Sequence, residues 1–129
     1  MVLLAYDGSA VAKRALQHAA TLVEPGGELA VINVIPAQSV SSRLETVTDE
    51  ERGRQARILR EARIALDRRG IEAQLIEAVG DPATEILAAA AEKNAETIVV
   101  GRSESRHRAR GPLDSRLMRS ARADVLIVP

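Results

Sequence analysis

The sequence predicts an α/β fold: a doubly wound, five-stranded parallel sheet in the order 3-2-1-4-5, with helices on both faces. Three observations predict it. Apolar runs of strand length alternate with segments of helical period along all 129 residues. The junctions carry turn, cap and stop residues, among them Asp7-Gly8-Ser9, Pro25-Gly26-Gly27 and Gly80-Asp81-Pro82. Parallel crossovers are right-handed and helices must cover both faces, so five strands joined by four helices adopt that order most simply.

Val2 to Tyr6 is the first strand, short and continuously apolar, and it ends at Asp7-Gly8-Ser9 with Ser9 placed to cap a helix. Beyond it Val11, Ala12, Ala15, Leu16, Ala19, Leu22 and Val23 recur at spacings of three and four, an apolar stripe for the sheet, until Pro25-Gly26-Gly27. Glu28 to Ile35 is the second strand, and Pro36 to Val47 a polar loop. Thr48-Asp49-Glu50-Glu51 has the form of a capping box, in which the Thr hydroxyl and the Glu51 carboxylate accept from free amides. That helix runs to about Arg69, with Ile58, Leu59, Ala62, Ala65 and Leu66 inward, Arg57, Arg60, Arg63 and Arg68 outward, and Gly70 as its stop. Ile71 to Val79 alternates as a strand near a sheet edge. Asp81 caps the next helix, Pro82 takes its first position, and Ile86, Leu87, Ala90 and Ala91 pack down. Glu96 to Val100 is the fourth strand, closed by Gly101. Gly111-Pro112 opens a short helix with Leu113, Leu117 and Met118, and Val125 to Val128 is the fifth strand. No repeat or low-complexity tract intervenes, and residues 1–129 read as one domain.

Composition narrows the function. Lys plus Arg number 18 against 18 Asp plus Glu, so the overall basic footprint of a nucleic-acid binder is absent and no specific nucleic acid is expected as a partner. The balance is uneven, however: Arg102 to Arg122 holds seven Arg against Glu104 and Asp114. With no Cys, a disulfide scaffold, a thiolate zinc site and a thiol nucleophile are excluded together. His18, beside the apolar stripe of the first helix and facing solvent, and His107 are too few for a histidine metal cluster. One Tyr and no Trp or Phe require an aliphatic core and leave little on which bases stack. No apolar run approaches the roughly 20 residues of a membrane helix, and the opening residues lack a signal peptide's basic start, so a cytoplasmic chain with no membrane partner is expected.

In such a sheet ligands sit beyond the carboxyl ends of the strands, where the strand order reverses. That point lies between the first and fourth strands, so the turns Asp7-Gly8-Ser9 and Gly101-Arg102-Ser103 flank one crevice. Two helix N-termini direct free amides at it, the makings of an anion site.

Tyr6-Asp7-Gly8-Ser9, Val31-Ile32-Asn33-Val34-Ile35, Gly80-Asp81-Pro82 before Ile86-Leu87, Ile98-Val99-Val100-Gly101 and Val125-Leu126-Ile127-Val128, in this order and spacing, resemble the universal stress proteins over essentially the whole chain. The resemblance implies the open parallel sheet and a homodimer formed by pairing the last strands, here Val125, Leu126, Ile127 and Val128. It also implies one of two branches, ATP-binding or not, distinguished by the loop after the fourth strand. ATP-binding members carry Gly, two residues, Gly, nine residues, then Gly followed by Ser or Thr. The glycines let backbone amides approach phosphates.

Matched to that motif, Gly101 is the first glycine and Gly111 the last, with Pro112 in the hydroxyl position. The stretch between Gly101 and Gly111 is nine residues, about three short of the full motif. Glu104 stands where the middle glycine belongs, and Pro112 has neither amide hydrogen nor hydroxyl. A register thirteen residues beyond Gly101 ends instead at Asp114-Ser115, where a carboxylate repels phosphate. In either register the triphosphate cradle is incomplete. Arg102, Arg106, His107, Arg108 and Arg110 allow two readings: side chains that neutralise phosphates in place of amides, or a solvated basic loop paired with acids elsewhere or with a dimer partner.

Candidate nucleotide-site residues are therefore Asp7, Gly8, Ser9, Val34, Gly101, Arg102, Arg110 and Gly111. Asp7 is either at the adenine end, as the resemblance implies, or a cap of its own turn. Val34 matches a family position beside the base and is also an ordinary core residue. Ser9 is an N-cap rather than a nucleophile, since no His or carboxylate is placed to activate it. Three functions stand: a dimeric stress-response module binding nucleotide weakly or not at all, an ATP-binding member using Arg side chains, and a nucleotide-processing enzyme, for which Glu104 is the one new acidic candidate in the loop. The first is the expectation. No cofactor is assigned, and ATP remains open.

Overall fold

The computed structural model of the chain describes residues 1–37, 47–102 and 113–129. The elements run β1 (Val2–Ala5), α1 (Ala10–Thr21), β2 (Glu28–Pro36), α2 (Asp49–Asp67), β3 (Glu72–Gly80), α3 (Pro82–Glu92), β4 (Thr97–Gly101), α4 (Leu113–Ser120) and β5 (Asp124–Val128). All pairings are parallel, in the order β3-β2-β1-β4-β5. The predicted reversal between the first and fourth strands is thus present, and β3 is an edge strand.

Alternation along β1 sorts the core into two layers. Val2, Leu4 and Tyr6 face α1 and α2, where Ala12, Ala15, Leu16, Ala19, Leu59, Ala62 and Leu66 are buried. Leu3, with Ala30, Ile32, Ile98 and Val100, faces α3 and α4 and meets Ala83, Ile86, Ala89, Ala90 and Leu117. Central strands buried on both faces need apolar residues at every position, which is why Val2 to Leu4 and Ile98 to Val100 are uninterrupted.

Helix starts are built as the caps predict. The Ser9 hydroxyl accepts from the Ala12 amide at 3.2 Å, and the Asp81 carboxylate from the Thr84 amide at 3.0 Å. The Thr48 hydroxyl accepts from the Glu51 amide while the Glu51 carboxylate accepts from the Thr48 amide, each at 3.0 Å. The Thr48 backbone amide first, and the Thr48 hydroxyl donating to the same carboxylate at 3.1 Å second, hold the Glu51 carboxyl below its ordinary range. Gly70, at φ +74°, ends the turn after α2.

Several expectations need correction. β1 stops at Ala5, so Tyr6 lies beyond it, although its amide still donates to the Ile32 carbonyl at 3.0 Å. β3 and β4 each sit one residue later than the apolar runs suggest, and β5 starts at Asp124. α2 ends at Asp67, with Arg68 as its C-cap. Leu22 is the C-cap of α1 and half exposed, because the helix ends before a further turn brings it to the sheet. On α3 Ala89 is buried with Ile86 and Ala90, while Ala91 is exposed. Met118 is 62% exposed, since the short α4 turns only Leu117 fully inward. The loop expected from Pro36 to Val47 falls largely outside the described residues. Among the described residues no helix is long and apolar enough to cross a membrane.

Candidate functional site

The site begins with the turn after β1. Gly8 has φ +81°, a conformation side chains disfavour, and it lets the chain reverse from strand to helix within three residues. The Asp7 carboxylate accepts from the Ser9 amide at 3.0 Å, so Asp7 braces the turn that Ser9 then caps.

A cavity of about 540 Å³ opens beside this turn, over the carboxyl ends of β2, β1 and β4. Its β2 side is apolar, with Val34 and Pro36 facing Pro82 and Ile86 of α3, and Leu113 of α4 completes the wall. Its β4 side is basic. Arg102 follows β4, its amide donating to the Val128 carbonyl at 2.7 Å, and Arg14 of α1 is steadied by donating from Nε to the Pro129 carbonyl at 3.0 Å. Asp7 and Ser9 line the cavity between the two ends. Shape and charge thus suit a ligand with a flat apolar part and an anionic tail.

Gly101 is needed for packing. A Cβ built there lies 2.9 Å from both methyls of Val11 and 3.2 Å from its carbonyl carbon. Its lack of a side chain lets α1 sit close to the end of β4, so this glycine is explained without any phosphate.

Beneath the cleft, three strand ends are tied by buried polar groups. The Asn33 side-chain amide donates to the Tyr6 carbonyl at 2.8 Å. The Gln55 amide, on α2, reaches the Asn33 carbonyl at 2.8 Å and the Ala78 carbonyl at 3.0 Å. The Tyr6 hydroxyl donates to Glu61 Oε1 at 2.6 Å. Burial first, then that bond and the negative charge of Glu61 and Asp7, push the Tyr6 hydroxyl well above its ordinary pKa.

At the opposite rim, Arg116 of α4 forks onto Asp81. Nη1 donates to Oδ1 at 2.9 Å and Nη2 to Oδ2 at 2.8 Å. The fork, with help from the Thr84 amide and hydroxyl, holds the Asp81 carboxyl far below its usual range, and the same contact raises Arg116.

Of the residues singled out from the sequence, Asp7, Ser9, Val34, Gly101 and Arg102 line one cavity, and Gly8 shapes its turn. Arg110 and Gly111 lie outside the described residues, as do Glu104, Arg106, His107, Arg108 and Pro112. His18 is exposed on α1. Val125 to Val128 form an edge strand as expected, with Leu126 36% exposed and Val128 buried in the α1 layer. Arg14, Asn33, Gln55 and Arg116 were missed. Asn33 and Gln55 carried a signal, each a polar residue at a position whose neighbours at strand or helix spacing are apolar. Arg14 and Arg116 carried none, because their partners are remote in sequence.

The family model described as the universal stress protein family matches residues 1–129. Among solved structures, universal stress protein UspA from Lactobacillus plantarum is similar at a TM-score of 0.80 and 19% identity, over 99% of this chain and 96% of that one. The universal stress protein from Archaeoglobus fulgidus in complex with dAMP has a TM-score of 0.80 at 22% identity, over 99% and 96% of the two chains. A universal stress protein in complex with cAMP has a TM-score of 0.74 at 29% identity, over 99% and 95%. Among curated protein sequences none matches. With its whole length matched and its strand order that of an open, doubly wound sheet, the chain belongs to the universal stress protein family.

Proposed function

We propose that this chain is a stress-response module whose cleft takes a nucleoside monophosphate weakly, in preference to a triphosphate, and that it works as a homodimer joined along β5. The observation that carries the first part is the polarity of the cleft: an apolar slot at Val34, Pro36, Pro82 and Ile86, and two guanidinium groups, Arg14 and Arg102, at the other end. One phosphate suits two arginines. A longer tail needs backbone donors that a nine-residue segment carrying Glu104, followed by Gly111 and Pro112, supplies poorly. The neighbours crystallised with dAMP and cAMP support the size of ligand. The homodimer is supported by the side of β5 that no strand pairs among the described residues, an apolar edge that invites another strand.

Calorimetric titration with cAMP, AMP and ATP with Mg²⁺ tests the reading. The monophosphates bind with dissociation constants on the order of 100 μM, about −5 to −6 kcal/mol, ATP binds no tighter, and Arg102→Ala weakens all three. The presence of Arg102 in the cleft favours one other reading, an ATP-binding member holding phosphates by side chains. ATP binding at least tenfold tighter than AMP, and lost in Arg102→Ala, establishes that reading instead. Light scattering at micromolar concentration tests the dimer: a monomer refutes it.

A further inference from the structure

We propose that the Asp81–Arg116 fork is a positioning clasp for the cleft, fixing the α4 wall against the α3 wall so that ligand affinity depends on it. The proposal rests on the reading of the cleft as a nucleotide site. Both helices line that cavity, α3 through Pro82 and Ile86 and α4 through Leu113. Among the described residues α4 has little else to hold it. It is eight residues long, below the length at which a helix sustains itself, and among its side chains only Leu117 is fully buried. The Asp81 carboxylate has orienting partners besides Arg116, because Oδ2 also accepts from the Thr84 amide at 3.0 Å and the Thr84 hydroxyl at 2.7 Å. A bidentate fork onto an oriented carboxylate sets direction as well as distance. Arg116 is three residues beyond Leu113, the helical spacing that stacks one residue over the other, so holding Arg116 also places Leu113. Asp81 and Arg116 do not line the cavity themselves, and they act through the walls they join.

Two substitutions separate the clasp from the helix cap. Asp81→Ser keeps an N-cap hydroxyl and removes the fork, while Arg116→Met removes the fork and keeps the cap intact. Each variant, the pair together, and Arg116→Lys are titrated with cAMP, and hydrogen exchange of the free proteins is followed by mass spectrometry. Both single variants are expected to weaken cAMP about fivefold. The double variant is no weaker than either single, and Arg116→Lys recovers part of the loss. Exchange rises in peptides covering α4 and stays unchanged in α3. Unchanged cAMP affinity in a chain that binds cAMP overturns the proposal, as does equal loosening of α3 and α4, which marks a general structural role. Absence of cAMP binding by the unmodified chain overturns the nucleotide reading instead, and unchanged α4 exchange in the same variants then overturns the clasp.

Discussion

Gln55 of α2 donates its buried side-chain amide to the carbonyl of Asn33 on β2 at 2.8 Å, and the Asn33 side chain passes the connection on to the Tyr6 carbonyl at 2.8 Å. With the Ala78 carbonyl as a further acceptor of Gln55, one chain of amides links β3, β2 and the residue after β1 near the carboxyl ends of the strands. Buried carbonyls need donors, and these two side chains supply them at Tyr6, Asn33 and Ala78.

Gln55→Leu keeps the volume and deletes the donors, leaving the carbonyls of Asn33 and Ala78 without that partner. The expected loss is about 1–3 kcal/mol of folding stability, read as a lower urea midpoint. A midpoint equal to that of the unmodified chain would show that the amides contribute nothing net.

Gly101→Ala places a methyl group 2.9 Å from both Val11 methyls. Overpacking of this kind costs about 1–3 kcal/mol, and Val11→Ala in the same chain relieves most of it. Thermal unfolding of the two single variants and the double variant measures the coupling. Simple additivity of the two losses contradicts the close approach.

Tyr6 is the only tyrosine, so tyrosinate absorbance on alkaline titration reports this one group. Its folded pKa is raised above the ordinary value near 10, by burial first and by Glu61 second. The hydroxyl therefore contributes stability fully present below the unfolded value and lost as pH rises through the folded one. Ionisation of the native protein is expected well above pH ~10, and Glu61→Gln brings it down. A Tyr6 titrating near 10 in a folded chain contradicts the buried hydrogen bond.

Asp81 gives the opposite limb. Arg116 first, and the Thr84 donors after it, depress its folded pKa, so the contribution is present above the unfolded value and lost as pH falls through the folded one. Asp81→Asn is expected to be less stable than the unmodified chain at pH 7, with the gap closing below about pH 4 as the unmodified carboxylate also takes up a proton. Urea midpoints across that range measure it, and a gap independent of pH would contradict an ionised, paired Asp81.

Much of the molecule was legible without coordinates because its signals are local. Ser9, Thr48 with Glu51, and Asp81 announce helix starts through side chains that bond within three residues. The uninterrupted apolar stretch at Ile98 to Val100 announces a strand covered on both faces. Errors of burial fell near helix ends, as at Leu22 and Met118. Periodicity states which face is apolar but not whether the helix is long enough, or close enough to the sheet, to bury the last residue on it.

The sequence by itself determined the fold class, the strand order and the place of the cleft, since periodicity, caps and the handedness of crossovers act over short stretches and leave few topologies. Only the tertiary structure decided the roles of Gly101, Gln55 and Arg116. Gly101 meets Val11 across 90 residues, Gln55 meets Asn33 across 22 and Arg116 meets Asp81 across 35. Contacts of that span depend on how helices settle on a twisted sheet, and no spacing along the chain encodes that distance.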